Sequence, residues 1–301
     1  MPTTGSHRGL SAASPPPPAQ QRDGAAAGYR ARRTLPVLVE IRRQATRRRT
    51  QIALGFLVLL PFLLVLAFEL GSDNSRNGGT ALVDLATLGA ANFTFFTLFV
   101  SAGFLLVVIV ALFAGDTVAS EANWSSLRYL LAAPVPRSVL LRRKLLVALA
   151  YSGFALVLLP AATYLTGGLF FGWAPLHSPV GMSFGAADAA LRLAVAVGYL
   201  AVSLLSVAGV AFWLSVWTDA PLGAVGGAVL IVIVSDIVDA VTALGRWRDG
   251  LPTHYAYAWT DVLAPSISWD GMARGALWSF GYCIVMLSLA WRHFLRKDIL
   301  S

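Results

Sequence analysis

Two carboxylates, Asp236 and Asp239, lie within an apolar run and are the residues there best suited to bind or transfer a charged group. Because they are three residues apart, they share one face of a helix. A carboxylate inside a bilayer is costly and is typical of a path for a cation, a proton or a cationic substrate. The alternative is that both lie near an outer helix end and face water or pair with Arg246 or Arg274. The two residues are a candidate substrate or ion site.

The other reactive side chains form no recognisable catalytic or metal-binding motif. The four histidines are scattered, without the spacing or cysteine neighbours of a metal site. Cys283 is the only cysteine, which excludes a disulfide within the chain. Neither Lys144 nor Lys297 follows a glycine, so a phosphate-binding loop of the G-x-x-x-x-G-K-[ST] type is absent, as is a G-x-S-x-G motif. We expect no catalytic residue, no metal, no cofactor and no ATP hydrolysis in this chain.

A long charged stretch, residues 115–144, separates two strongly apolar runs, so we expect it in water at a membrane surface. Three leucines recur in it at helical spacing among polar residues, which predicts a short amphipathic helix: Leu127, Leu130 and Leu131. Pro134 and Pro136 end this helix, and Ser138 can cap the next one. The alternative is a solvated connection that rests on lipid headgroups.

Several residues of this stretch follow one another in a characteristic order: Gly115-Asp116, Glu121, Ser125-Ser126-Leu127-Arg128, Leu130-Leu131, Pro134-Val135, Arg137, Leu140-Leu141 and Lys144. This order resembles the permease subunits of the ABC-2 family of ABC exporters, also called type V. The chain departs from the usual pattern at Ser125 and Ser126, where the family favours Gly-Thr, and at Arg143, where a glycine is usual.

The resemblance implies that the stretch contains a coupling helix that docks into a groove of a separate cytoplasmic ABC ATPase. It further implies two ATPase copies that bind ATP and Mg, and a second permease, most simply a copy of this chain. The expected cargo is a drug-like or lipid lipophile. The expected coupling residues are Asp116, Glu121, Ser125, Leu127, Arg128, Leu131 and Arg137.

The composition predicts an all-α integral membrane protein. Of the 301 residues, 57% are hydrophobic and 13% are charged, whereas charged residues make up about a quarter of soluble domains. The net charge of +8 comes mainly from basic residues beside the apolar runs. We interpret these residues as topology signals and expect no nucleic-acid partner.

The chain divides into three parts. Residues 1–33 are rich in Pro, Ala, Ser and Gly and predict a disordered cytoplasmic tail. Residues 34–50 predict a basic amphipathic helix on the inner membrane surface. Residues 51–301 predict a permease domain with six spans. The predicted spans are 52–70, 92–114, 145–170 (broken by Pro160 and Gly167-Gly168), 191–217, 222–244 and 273–294.

Eighteen of the 23 Lys and Arg residues lie on one predicted side, together with both termini and the 115–144 stretch. The positive-inside rule therefore places both termini in the cytoplasm of a cell-membrane protein. Residues 245–272, on the opposite side, are rich in Trp and Tyr and contain two prolines. We expect short re-entrant or interfacial helices there, as in ABC-2 permeases.

Three other functions fit some of these features. A sodium or other cation exporter would use Asp236 and Asp239, as would a carrier driven by protons without ATP. An interaction protein or sensor is the third alternative, although six spans exceed what an anchor needs.

Overall fold

The computed structural model describes residues 37–72, 81–123 and 136–296, and most of these residues are α-helical. The predicted tail and the predicted amphipathic helix with Leu127 lie outside these ranges. The expectation of a helical membrane protein is confirmed in this broad form. The helices are α1 (Val37–Ala45), α2 (Arg48–Ser72), α3 (Ala81–Ala86), α4 (Ala90–Ala102), α5 (Leu105–Asn123), α6 (Arg137–Phe171), α7 (Ala186–Ser203), α8 (Leu205–Trp217), α9 (Pro221–Asp239) and α10 (Asp270–Arg296).

Within the described ranges, five helical segments are long and apolar enough to cross a membrane: Arg48–Gly71, Arg137–Phe171, Ala186–Trp217, Pro221–Asp239 and Asp270–Arg296. The helices α4 and α5 qualify together as a further candidate, but they are bent by 59° at a short break. The break lies at Gly103 and Phe104, inside the predicted second span. A Cβ atom at Gly103 would lie 2.4 Å from the Tyr257 hydroxyl, so glycine permits this close approach.

The core of the protein lies around α5 and α8. Helix α8 packs against α5, α9 and α10, and all but three of its 13 residues are buried. Gly209 brings α8 onto the α10 backbone, because a Cβ atom there would lie 3.0 Å from Cys283 Cα. In contrast, α2 buries little of its surface and packs mainly against α6.

We expect Gly209→Val to destabilise the protein, because the new side chain forces α8 and α10 apart. Overpacking of this kind costs about 1–3 kcal/mol. Gly226→Val on α9 is the matched control, since a Cβ atom there meets nothing within 4 Å. Thermal unfolding followed by a thiol-reactive dye measures both variants, because the buried Cys283 is the only thiol. Equal melting temperatures for the two variants would contradict this account of the packing.

A predicted helix break and a predicted continuous helix are both wrong. Helix α6 runs unbroken from Arg137 to Phe171, through Pro160 and Gly167-Gly168. Thr163 Oγ1 donates hydrogen bonds to the carbonyls of Leu159 (2.8 Å) and Pro160 (3.1 Å), and so binds polar backbone groups beside the proline. The basic helix predicted over 34–50 is helical as α1, but the chain turns at Thr46 before α2 begins.

The connections at the Trp- and Tyr-rich end contain a small hairpin that the sequence did not predict. Its strands, β1 (Leu176–His177) and β2 (Ser183–Phe184), are antiparallel. Helix α9 ends at Asp239, before the predicted boundary at 244, and two 3₁₀ helices follow it, Thr242–Gly250 and Ala258–Leu263. Short helices are thus present between α9 and α10. That they re-enter the membrane or lie at its surface stays a prediction.

Arg192 of α7 holds the second 3₁₀ helix against the hairpin. Its side chain is 6% exposed and lies 3.7 Å above the Phe184 ring. The guanidinium group donates to the carbonyls of Val262, Ala264 (2.8 Å) and Pro265 (3.4 Å). These carbonyls lie where the 3₁₀ helix ends, so one arginine satisfies several acceptors that lack a helical partner.

Candidate functional site: a buried ion-pair network

Charged side chains from α1, α2, α5 and α6 meet inside the protein. Asp116 is 4% exposed, Glu121 1% and Lys144 2%. Burial of a charge costs several kcal/mol unless opposite charges and hydrogen bonds compensate for the lost water. The compensating partners come mostly from the N-terminal segment. We call the whole set the ion-pair network: Glu40, Arg43, Arg47, Arg49, Asp116, Glu121 and Lys144.

Asp116 binds two arginines at the junction of α1 and α2. Arg47 Nη1 lies 2.7 Å from Asp116 Oδ2, and Arg49 Nη1 lies 2.6 Å from Oδ1. Arg47 also donates to Ser120 Oγ, one turn further along α5 (3.0 Å). Each carboxylate oxygen therefore has its own cationic donor, and such charge-assisted bonds are the strong ones.

Glu121 forms the second centre of the network. Lys144 Nζ of α6 lies 2.5 Å from Glu121 Oε1, and Arg43 of α1 binds the same oxygen. Lys144 also contacts Glu40 Oε1 at 3.3 Å and the Thr117 carbonyl at 3.4 Å. Two acids and two bases therefore balance each other where α1, α5 and α6 meet.

The turn of α5 that carries Asp116 is also fixed to the core. The backbone N–H groups of Val118 and Ala119 donate to Ser215 Oγ of α8 at 3.1 and 3.0 Å. Gly115 lies against α9, where a Cβ atom would come within 3.1 Å of Val225 Cγ2. A displacement of the network would therefore act directly on α8 and α9.

The predicted pair Asp236 and Asp239 lies near the end of α9, and the two carboxylates differ in environment. Asp239 Oδ1 lies 2.6 Å from His254 Nδ1 and 3.4 Å from Arg248 Nε. The alternative prediction was a pairing with Arg246 or Arg274. The structure shows Arg248 and His254 as the partners of Asp239 instead. Asp236 is exposed and forms no ion pair with any residue that the structure describes.

An apolar groove of about 750 Å³ lies between α6 and α7, with part of α4 at its floor. Small residues of α7 leave this space, among them Ala190, Ala194 and Gly198. Leu156 and Val157 of α6 form the facing wall. Its volume is within the range of sites that bind drug-sized molecules, about 300–1,000 Å³.

A comparison with protein families gives one match, to a family described as protein of unknown function (DUF2705), over residues 69–300. The chain belongs to the DUF2705 family. No curated protein matches it. The DUF2705 match includes Asp116, Glu121, Lys144 and both carboxylates of α9, whereas it begins after the arginines of the N-terminal segment.

Among the predicted coupling residues, the structure brings Asp116 and Glu121 into one network. It places them on α5 and buries them, although a water-exposed stretch was expected from residue 115 onward. Arg137 is the first residue of α6. The other predicted coupling residues lie outside the described ranges: Ser125, Leu127, Arg128 and Leu131.

Sequence reasoning missed the arginine partners and the burial of Lys144. The N-terminal arginines were interpreted as topology signals and as the polar face of a membrane-surface helix, but Arg43 and Arg47 bind buried carboxylates. They are four residues apart and match Glu121 and Asp116, which are five residues apart on α5. Two pairs of opposite charge at similar helical spacing were the available signal.

Proposed function

We propose that the chain is the six-span transmembrane subunit of an ABC-2 exporter. In this proposal α4 and the following α5 form the second span as one bent unit. The ion-pair network lies on the cytoplasmic side, where both termini also lie, and the protein is located in the cell membrane. The resemblance along residues 115–144 and the long apolar helices support this arrangement.

The ion-pair network is the observation that carries the proposal. Residues 124–135, the core of the stretch that resembles a coupling helix, connect α5 to α6. Glu121 and Lys144 join these two helices near that connection, and Arg43 joins them to α1. A force on residues 124–135 or on α1 is therefore transmitted to buried helices rather than lost in a loose loop.

In the proposed complex, two cytoplasmic ABC ATPase subunits bind ATP and Mg and close on each other. The permease acts as a pair, most simply a homodimer. Closure of the ATPases pushes on the coupling segment and on α1, and the network passes the motion to α5. Contacts of α5 with Ser215 and Val225 extend it to α8 and α9.

The proposed cargo is a drug-like or lipid lipophile moved out of the cell, which the apolar groove between α6 and α7 supports. Export of sodium is less favoured, because Asp239 is already paired with His254 and Arg248. The carrier driven by protons without ATP has one observation in its favour: Asp236, on a candidate spanning helix, forms no ion pair with a described residue.

The test is Asp116→Asn in a complex with the ATPase encoded nearest to this chain. Without the carboxylate, Arg47 and Arg49 lose their ion pairs with α5, and the Arg47 hydrogen bond to Ser120 remains. We expect the ATPase to co-purify as before, while transport per ATP hydrolysed falls about tenfold, a usual size for a coupling between sites. Transport of a fluorescent lipophile and phosphate release are measured together in proteoliposomes.

Asp84→Asn, on the exposed face of α3, is the control and should change neither rate. If no ATPase associates with the chain, or if the chain alone moves the lipophile, the proposed function is wrong. Transport that then depends on pH and is lost in Asp236→Asn would favour the proton-driven carrier.

A further inference from the structure

Asp236 forms no ion pair within the part of the chain that the structure describes, whereas Asp239 on the same helix does. Exposed residues near it along α9 are apolar, among them Ile233 and Ile237, and Thr253 forms a side-chain hydrogen bond with it. The described ion pairs of this region all involve Asp239 or Asp249. A carboxylate on an apolar, exposed helix face is costly in a membrane unless a cation or water reaches it.

An aromatic side chain, Tyr257, lies near this carboxylate, and both residues line one small cavity. Tyr257, between the two 3₁₀ helices, is 43% exposed, and its ring lies 5.4 Å from that of Phe99, which is 42% exposed. Burial raises the pKa of Tyr257, and the negative charge of Asp236 raises it further. The phenol therefore stays protonated at neutral pH and remains a neutral, electron-rich ring.

The interior behind Asp236 is too small for a substrate. The cavity that Asp236 and Tyr257 line together has a volume of about 30 Å³, enough for about one water molecule. A ligand of Asp236 must therefore lie on the exposed side, against α9 and the two aromatic rings. No group of three or more His, Cys, Asp or Glu side chains suited to a metal ion occurs among the described residues.

We propose that Asp236, Tyr257 and Phe99 form a recognition surface for a lipophilic organic cation. A single carboxylate neutralises one positive charge, and aromatic faces attract a cation that carries little hydration. A bare sodium or calcium ion is less suited, because hard cations need several oxygen ligands at once. This inference names the substrate class of the exporter proposed above and rests on that proposal.

Binding of tetraphenylphosphonium to the purified full chain in nanodiscs tests the inference without any ATPase. We expect Asp236→Asn to weaken binding at least tenfold and Asp236→Glu to stay within about threefold of the unchanged protein. Asp239→Asn should also stay within about threefold, because Asp239 already contacts Arg248 and His254. Tetraphenylborate, an anion of the same shape, should bind Asp236→Asn at least as well as it binds the unchanged protein.

Unchanged tetraphenylphosphonium binding in Asp236→Asn would overturn the inference, as would a parallel loss of tetraphenylborate binding. If Asp236→Asn does not fold, equal binding by Tyr257→Leu and the unchanged protein overturns it instead. Because the assay uses the chain alone, loss of cation recognition is distinguishable from loss of ATPase coupling. A chain that binds the cation through Asp236 but associates with no ATPase would contradict only the proposed export mechanism.

Discussion

Lys144→Met is expected to lower the free energy of unfolding by about 3–5 kcal/mol, the usual cost of breaking a buried ion pair. The lysine side chain is 3% exposed and contacts both Glu121 and Glu40. Of the ion pairs described for these two acids, those with Arg43 then remain, and Glu121 is 1% exposed. Thermal or denaturant unfolding in detergent, followed through Cys283, measures the change.

The double variant Lys144→Met with Glu121→Gln should recover most of this stability. One acid and one base are then removed together, so Glu40 and Arg43 still balance each other. Replacing a whole buried pair by neutral groups is often close to neutral for stability. If the stability loss of the double variant equals the sum of the losses of the two single variants, Lys144 and Glu121 do not interact, contrary to the structure.

Arg192→Ala should destabilise the end of the protein that carries the hairpin, by about 3 kcal/mol or more. The substitution removes the donor to the carbonyls of Val262, Ala264 and Pro265 and the cation above Phe184. Each hydrogen bond from a charged group contributes about 1.5–3 kcal/mol. Hydrogen exchange should show faster opening of residues 251–265, before global unfolding.

Arg274→Ala is the matched control, because this arginine lies on the exposed surface at the start of α10. Asp188→Asn should also have a small effect, since the Asp188 side chain is 46% exposed. Equal protection of residues 251–265 in Arg192→Ala and Arg274→Ala would mean that Arg192 does not hold this segment.

The sequence predicted the helical elements well, because each apolar run is a local signal about 20 residues long. The errors arose where neighbouring helices decide the outcome. A proline inside a helix removes one hydrogen bond and often breaks the helix, but α6 continues through Pro160, where it packs against α2, α4 and α5. The hairpin at Leu176 depends on Asn92, whose side chain bonds both backbone groups of His177.

The candidate site was less predictable, since its pairs join distant parts of the chain. Arg43 and Glu121 are 78 residues apart in the sequence, so no local sequence pattern predicts their contact. Asp116 and Glu121 were predicted as coupling residues from the family resemblance alone, and their burial was unexpected. The difference between Asp236 and Asp239 likewise depends on His254 and Arg248, which reach α9 only in the folded chain.

Helix α5 extends from the ion-pair network to the bend beside Tyr257. Its 19 residues give a length of about 28 Å at 1.5 Å per residue. Asp116 and Glu121 lie towards one end, and the bend at Gly103, beside Tyr257, lies at the other. A tilt of this helix moves both ends in opposite directions, so a push at the charged end would alter the spacing between Phe99, Tyr257 and Asp236. In the proposed exporter, cargo release and nucleotide-driven motion therefore both depend on the tilt of this one helix.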